Sequence, residues 1–225
     1  MKSLIGRVYR KHLPNSFQHK IDLIRGESQV FWPHFIDTGS LFIHIPKAAG
    51  TSIARSLYGR NVGHRKADFY QKVSRSQFEE LFSFAFTRNP WSRAVSAYQF
   101  AKQGGTNLVQ PRNDSIFKSK YFESFDNFVL NWLSYIDFDE EDLIFEPQYR
   151  YVCDKTGAII VNFIGKTENI SEDITYVQEK LRTVINIDHL NQSKHENYLE
   201  FYSTKTIDAI AKIYEKDIEL FSYDI

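Results

Sequence analysis

Two apolar runs, Leu41–Ile45 and Ser83–Thr87, each stop at a turn that opens directly into a helical pattern. This repeated strand–turn–helix order constrains the fold more than any other feature of the chain. A short run that is apolar on both faces belongs inside a sheet, and strands separated by helices build a parallel sheet with helices packed on it. The expected fold class is therefore α/β, a central parallel sheet flanked by helices. Both corners also carry cations and hydroxyls where the helix begins. A helix start leaves backbone N–H groups free and presents the positive end of the helix dipole, so the two corners predict two seats for phosphate-like groups.

The first seat is Pro46-Lys47-Ala48-Ala49-Gly50-Thr51-Ser52. Its small residues let backbone N–H groups approach an anion closely. Lys47 adds a mobile point charge, and Thr51 and Ser52 add hydroxyl donors. The lysine precedes the glycine, so this is not the G-x-x-x-x-G-K-[ST] loop of nucleoside triphosphatases. An ordinary strand–turn–helix corner would favour the same small residues. The second seat, Thr87-Arg88-Asn89-Pro90-Trp91-Ser92-Arg93-Ala94-Val95-Ser96, puts Arg88 at the strand end and Ser96 two turns into the helix, where both can converge on one anion. Arg93 fits either that anion or a structural pairing, with structure slightly favoured. Trp91 reads as a packing residue.

The remaining pattern completes one domain over 1–225, with 1–35 as a peripheral arm. Gly59 ends a helix over Thr51–Tyr58, and Ser76-x-x-Glu79 reads as a capping box opening another. Asn89 caps a helix with Pro90 at its first position and Gly104-Gly105 beyond its end. Gly104–Lys120 is polar and irregular, a substrate-facing loop in expectation. Phe125, Phe128, Val129 and Trp132 recur at helical spacing within Ser124–Ser134. The acidic stretch Asp137–Asp142 reads as a solvated turn. Tyr151-Val152-Cys153 and Ala158–Ile164 flank Asp154-Lys155-Thr156-Gly157 as arms of a hairpin. Ser171–Arg182 and Thr204–Glu215 are amphipathic helices.

Charge and cysteine content narrow the function classes. With 28 basic and 28 acidic residues the formal net charge is zero, so no nucleic-acid partner is expected and any anion site must be local. One cysteine, Cys153, excludes an internal disulfide framework and multi-cysteine metal sites. No stretch approaches the roughly eighteen apolar residues of a membrane span, and no signal-peptide centre is evident. A cytoplasmic location is the expectation. Arg7, Arg10 and Lys11 read as a solvated helix face, with a weak membrane-surface contact as the alternative.

The paired motifs PKAAGTS and RNPWSRAVSAY resemble the 5′-phosphosulfate loop and the 3′-phosphate motif of sulfotransferases that use 3′-phosphoadenosine 5′-phosphosulfate (PAPS). The likeness is nearest to the Golgi carbohydrate sulfotransferases and their compact bacterial relatives. Gly63-His64-Arg65, Pro147-Gln148-Tyr149, Phe163–Asn169 and the tail Tyr214–Phe221 are similar to that group as well. The resemblance implies a P-loop-NTPase-like α/β fold and an in-line transfer of a sulfuryl group to a hydroxyl of a saccharide or glycoconjugate. It implies that the Lys47 loop (Pro46 to Ser52) holds the 5′-phosphosulfate, that Arg88 and Ser96 hold the 3′-phosphate, and that no metal is needed. Lys47 would stabilise charge on the departing nucleotide, and His64, in a Gly-His context like that of uronyl 2-O-sulfotransferases, would be the base. His44, inside the first strand, reads as a buried core histidine, while His12, His19, His34 and His189 carry no signal. Ser193 and Lys194 fit either a late loop over the nucleotide or an exposed turn. Gln148 and Arg150, with Arg112, Lys118 and Lys120 of the polar loop, are weaker candidates for facing an acidic acceptor.

Two rival classes remain open on sequence grounds: a non-catalytic module binding an anionic nucleotide or glycan, and a phosphotransferase with an atypical phosphate loop.

Overall fold

The computed structural model describes residues 30–105, 114–187 and 197–225. Among them are three parallel strands in the order β1-β2-β3: β1 (Ser40–Ile43), β2 (Phe82–Thr87) at the centre, and β3 (Phe163–Lys166). The register pairs Phe42 with Phe84 and Phe84 with Phe163, and the Phe42 and Phe84 rings lie 5.0 Å apart. Every β1 side chain is buried, and so is every β2 residue after Phe82. Strands covered on both faces must read as continuous apolar runs, which is the pattern that announced them. Each fully buried phenylalanine contributes about 1.5–3 kcal/mol. This is the α/β architecture expected from the alternation.

The crossover from β1 to β2 carries α2 (Gly50–Tyr58), α3 (Ala67–Val73) and α4 (Arg75–Glu80), preceded by a short α1 (Pro33–Asp37). After β2, α5 (Pro90–Lys102) runs into a second apolar cluster with α7 (Phe125–Asn131) and α10 (Thr204–Ile213). α6 (Asp114–Phe117) joins this cluster through Phe117, whereas α8 (Tyr149–Val152) and α9 (Ile170–Leu181) pack into the sheet core, and α11 (Glu215–Phe221) reaches both through Ile218 and Phe221. Phe125, Phe128, Val129 and Trp132 all face this second cluster, as their spacing predicts, and Trp91 packs there with its indole N–H donated to the Ile207 carbonyl at 3.2 Å.

Four expectations change. The 1–35 arm is not peripheral where it is described: Val30, Phe31 and Phe35 are buried in the sheet core, with Phe35 stacked on Trp32 and meeting Tyr58 and Tyr70 edge-on. The cap of α4 is Ser74 rather than Ser76, because the Ser74 hydroxyl accepts the Gln77 N–H. The first hairpin arm is helical, since residues 149–152 form α8. Only a Cys153–Ile159 bridge and the Asp154 turn survive from that reading. The helix predicted over Thr204–Glu215 stops at Ile213, and α11 follows as a separate segment.

Candidate active site

The Lys47 loop leaves β1 with two non-glycine residues in the left-handed region, Lys47 (φ 67°) and Ala49 (φ 57°). Such residues store roughly 1–3 kcal/mol of strain each and persist only when their surroundings hold them. Part of that hold comes from Arg93, which is 2% exposed. Its Nε donates to the Pro46 carbonyl at 3.0 Å, and one Nη donates to the Ile144 and Glu146 carbonyls at 3.2 and 2.7 Å. Arg93 is thus a structural bolt between this loop and residues 144–146. The helix start has no side-chain cap, and among the described residues the N–H groups of residues 47–51 have no acceptor. Alternating left-handed backbone with free N–H groups is the geometry of an anion-binding nest.

Gly50 has a use the sequence did not reveal. A Cβ there would lie 2.0 Å from His44 Cδ2, so the missing side chain makes room for the buried His44 ring beneath the loop. His44 is a core histidine as expected, but it also supports His64. The two rings lie 4.2 Å apart, and His64 Nδ1 sits 2.9 Å from the His44 carbonyl oxygen. A carbonyl can only accept, so Nδ1 carries the proton and the Nε2 lone pair is left free. Burial holds the His64 pKa below its usual value, with the charge of Arg93 acting in the same direction. The bond to His44 and the nearby Asp142 carboxylate oppose this. His64 is therefore a neutral imidazole at pH 7, with its tautomer set by the β1 backbone.

The second corner is built differently. Asn89 caps α5 with its own side chain, accepting from Trp91 N and Ser92 N at 3.0 and 3.2 Å, while its N–H goes to Glu168 Oε1 at 2.7 Å. This helix start is already satisfied by protein groups and is not an open anion seat, which corrects the expectation from sequence. What remains open is the Arg88 side chain. Its Nε donates to Ser92 Oγ at 3.0 Å, and its terminal nitrogens have no acceptor among the described residues. Ser96 is half-buried one turn beyond Ser92 and has no hydrogen-bond partner among the described residues. Ser92, Ser96 and Phe100 follow at i, i+4 spacing along one face of α5, and the Lys47 ammonium rests 4.3 Å from the centre of the Phe100 ring. One helix face thus links the two sets of donors.

The electrostatics support convergence. Burial, then the charges of Arg88 and Arg93, push the Lys47 pKa down to about 8. Burial likewise lowers Arg88, opposed by Glu168 and reinforced by Arg93. Three cations near one another, with Glu168 as the carboxylate acting on Arg88, form a local positive field in a chain of zero net charge. Among the described residues no group of His, Cys, Asp or Glu could hold a metal ion.

Some candidates are reassigned. Gln148 is fully buried, with both amide atoms engaged by the Arg88 peptide, and cannot face an acceptor. Arg150 pairs with Asp139 and Glu146. Lys120 lies over Tyr121, and Arg112, Ser193, Lys194, His12, His19 and His189 fall outside the described residues. The sequence reading missed Glu168 and Phe100. Glu168 had a signal in its place within Phe163–Asn169; Phe100 had only its helical spacing from Ser96.

The strand–loop–helix unit sets a cationic cluster at the strand ends of an α/β sheet, and comparison with known proteins narrows the class. The chain belongs to the sulfotransferase family, whose profile matches residues 37–224. An uncharacterized protein of Archaeoglobus fulgidus is 30% identical over 129 residues, covering 56% of this chain and 90% of that protein. The SPX and EXS domain-containing protein 2 of Dictyostelium discoideum is 24% identical over 195 residues, covering 80% of this chain and 17% of that protein. No solved structure gives a significant match.

Proposed function

We propose that the protein transfers a sulfuryl group from PAPS to a hydroxyl of a saccharide or glycoconjugate. The observation that carries this reading is the pairing of an uncapped, N–H-rich Lys47 loop with a separate guanidinium, Arg88, whose terminal nitrogens have no acceptor among the described residues. A donor with a 5′-phosphosulfate and a 3′-phosphate fits two such seats, one on the loop and one at Arg88 and Ser96. When bound, it supplies an activated sulfuryl group. The His64 Nε2 lone pair takes the acceptor hydroxyl proton as the new O–S bond forms. Lys47 and the loop N–H groups meet the charge gained by the departing bridging oxygen.

The test is to assay sulfate transfer from PAPS by Lys47→Ala and His64→Ala, with calorimetric binding of adenosine 3′,5′-bisphosphate. Lys47→Ala should lose about 10²–10³-fold in turnover. His64→Ala should lose about 10²–10⁴-fold while retaining nucleotide affinity. Wild-type rates in both variants would refute the mechanism. Nucleotide binding without transfer by the wild type would favour a binding module, and transfer of phosphate rather than sulfate would favour a phosphotransferase.

A further inference from the structure

The Thr87-Arg88-Asn89 corner is held almost entirely from distant parts of the chain. Gln148 clasps the Arg88 residue at both ends: its Oε1 accepts the Arg88 N–H at 2.9 Å and its Nε2 donates to the Arg88 carbonyl at 2.8 Å. The peptide of Gln148 is fixed in turn by Asp217, whose two carboxylate oxygens accept the N–H groups of Gln148 and Tyr149, each at 2.8 Å. Asp217 and Gln148 are both completely buried. On the other side of the corner, the Tyr223 hydroxyl lies 2.9 Å from Thr87 Oγ1 and 3.3 Å from Glu168 Oε2, and Asn89 Nδ2 donates to the Asp224 carbonyl at 2.7 Å. Neither Gln148 nor Asp217 has a side-chain atom left to offer a ligand.

We infer that residues 217–224 and Gln148 form a positioning clamp that aims the Arg88 guanidinium, so that recognition of a nucleotide 3′-phosphate is set by the last helix and the segment after it. This rests on the PAPS reading of the site. Gln148 and Tyr223 touch the Arg88 corner, and Asp217 acts on it through the Gln148 peptide, so all three are positioning residues. The clamp fixes the backbone on both sides of Arg88, while Ser92 fixes its Nε, and the terminal nitrogens have no acceptor among the described residues. An arginine held at its backbone N–H, its carbonyl and its Nε loses little freedom on meeting an anion, so the clamp favours the doubly phosphorylated nucleotide over the singly phosphorylated one.

The test compares adenosine 3′,5′-bisphosphate with adenosine 5′-monophosphate by calorimetry on the full chain, for wild type, Gln148→Met, Asp217→Asn and Tyr223→Phe. The wild type should prefer the bisphosphate. Gln148→Met and Asp217→Asn should lower that preference about tenfold or more, with monophosphate affinity unchanged. Tyr223→Phe, which removes a single hydroxyl, should lower it about two- to fivefold and carries the test should the buried substitutions fail to fold. In turnover assays the loss should fall on the KM for PAPS with little change in kcat. Equal loss of both nucleotides would show a merely structural role and overturn the clamp. So would an undiminished preference in folded variants. A wild type that does not discriminate removes the PAPS reading itself, and the clamp with it.

Discussion

The Lys47 loop and the Arg88 corner read alike in sequence, yet they handle their helix starts in opposite ways. At the first, the N-cap is Ala49 in a left-handed conformation, no side chain caps the helix, and the N–H groups of residues 47–51 have no acceptor among the described residues. At the second, Asn89 and Glu168 consume the free donors, and the Arg88 side chain is the group left for recognition under the proposed function. The contrast matches two kinds of task. A nest of N–H groups follows charge as it moves between atoms, whereas a clamped guanidinium recognises a fixed group by shape.

The comparison is most easily broken at Arg93, which bolts the open loop to residues 144–146. Arg93→Met leaves the Pro46, Ile144 and Glu146 carbonyls without their donor and should cost about 3 kcal/mol or more, read by denaturant unfolding. The next largest effect separates the seats by pH. Lys47 in the free protein has its pKa lowered to about 8, and a bound anion raises it again, so binding takes up a proton increasingly as pH climbs through 8. Affinity for adenosine 3′,5′-bisphosphate should then fall up to tenfold per pH unit above that point, about 1.4 kcal/mol. Calorimetry in buffers of different ionisation enthalpy measures the uptake, and Lys47→Ala should abolish it. Smallest are the caps themselves. Asn89→Ala should cost about 1 kcal/mol of stability, whereas Ala49→Gly, which relieves a left-handed alanine, should cost nothing or gain up to about 1 kcal/mol in thermal unfolding.

Local chemistry explains what the sequence made legible. Apolar runs buried on both faces, the Asn-Pro helix start and the helical repeat of Phe125, Phe128 and Trp132 are all decided within a few residues, and each stands as expected. Lys47, Arg88 and His64 stood out in the sequence by residue type and order, and the structure describes where each of them lies. What stayed hidden depends on partners far along the chain. Nothing near Gly50 says that a histidine ring six residues earlier occupies its missing side chain. Nothing near Arg88 says that Glu168 answers the helix start, or that Gln148 is spent on backbone. Phe31 and Phe35 looked peripheral for the same reason: their aromatic partners, Tyr58 and Tyr70, lie beyond local view.

The bonds from Asn89 to Asp224 and from Thr87 to Tyr223 join residues 135 and 136 positions apart. Closing loops of that length is slow and entropically unfavourable, and it follows the formation of nearer contacts. The Lys47 loop, by contrast, meets Arg93 only 47 positions away. During refolding the open seat should therefore take shape first and the selective one last. A chain part-way through folding would already attract anions before it could tell one nucleotide from another.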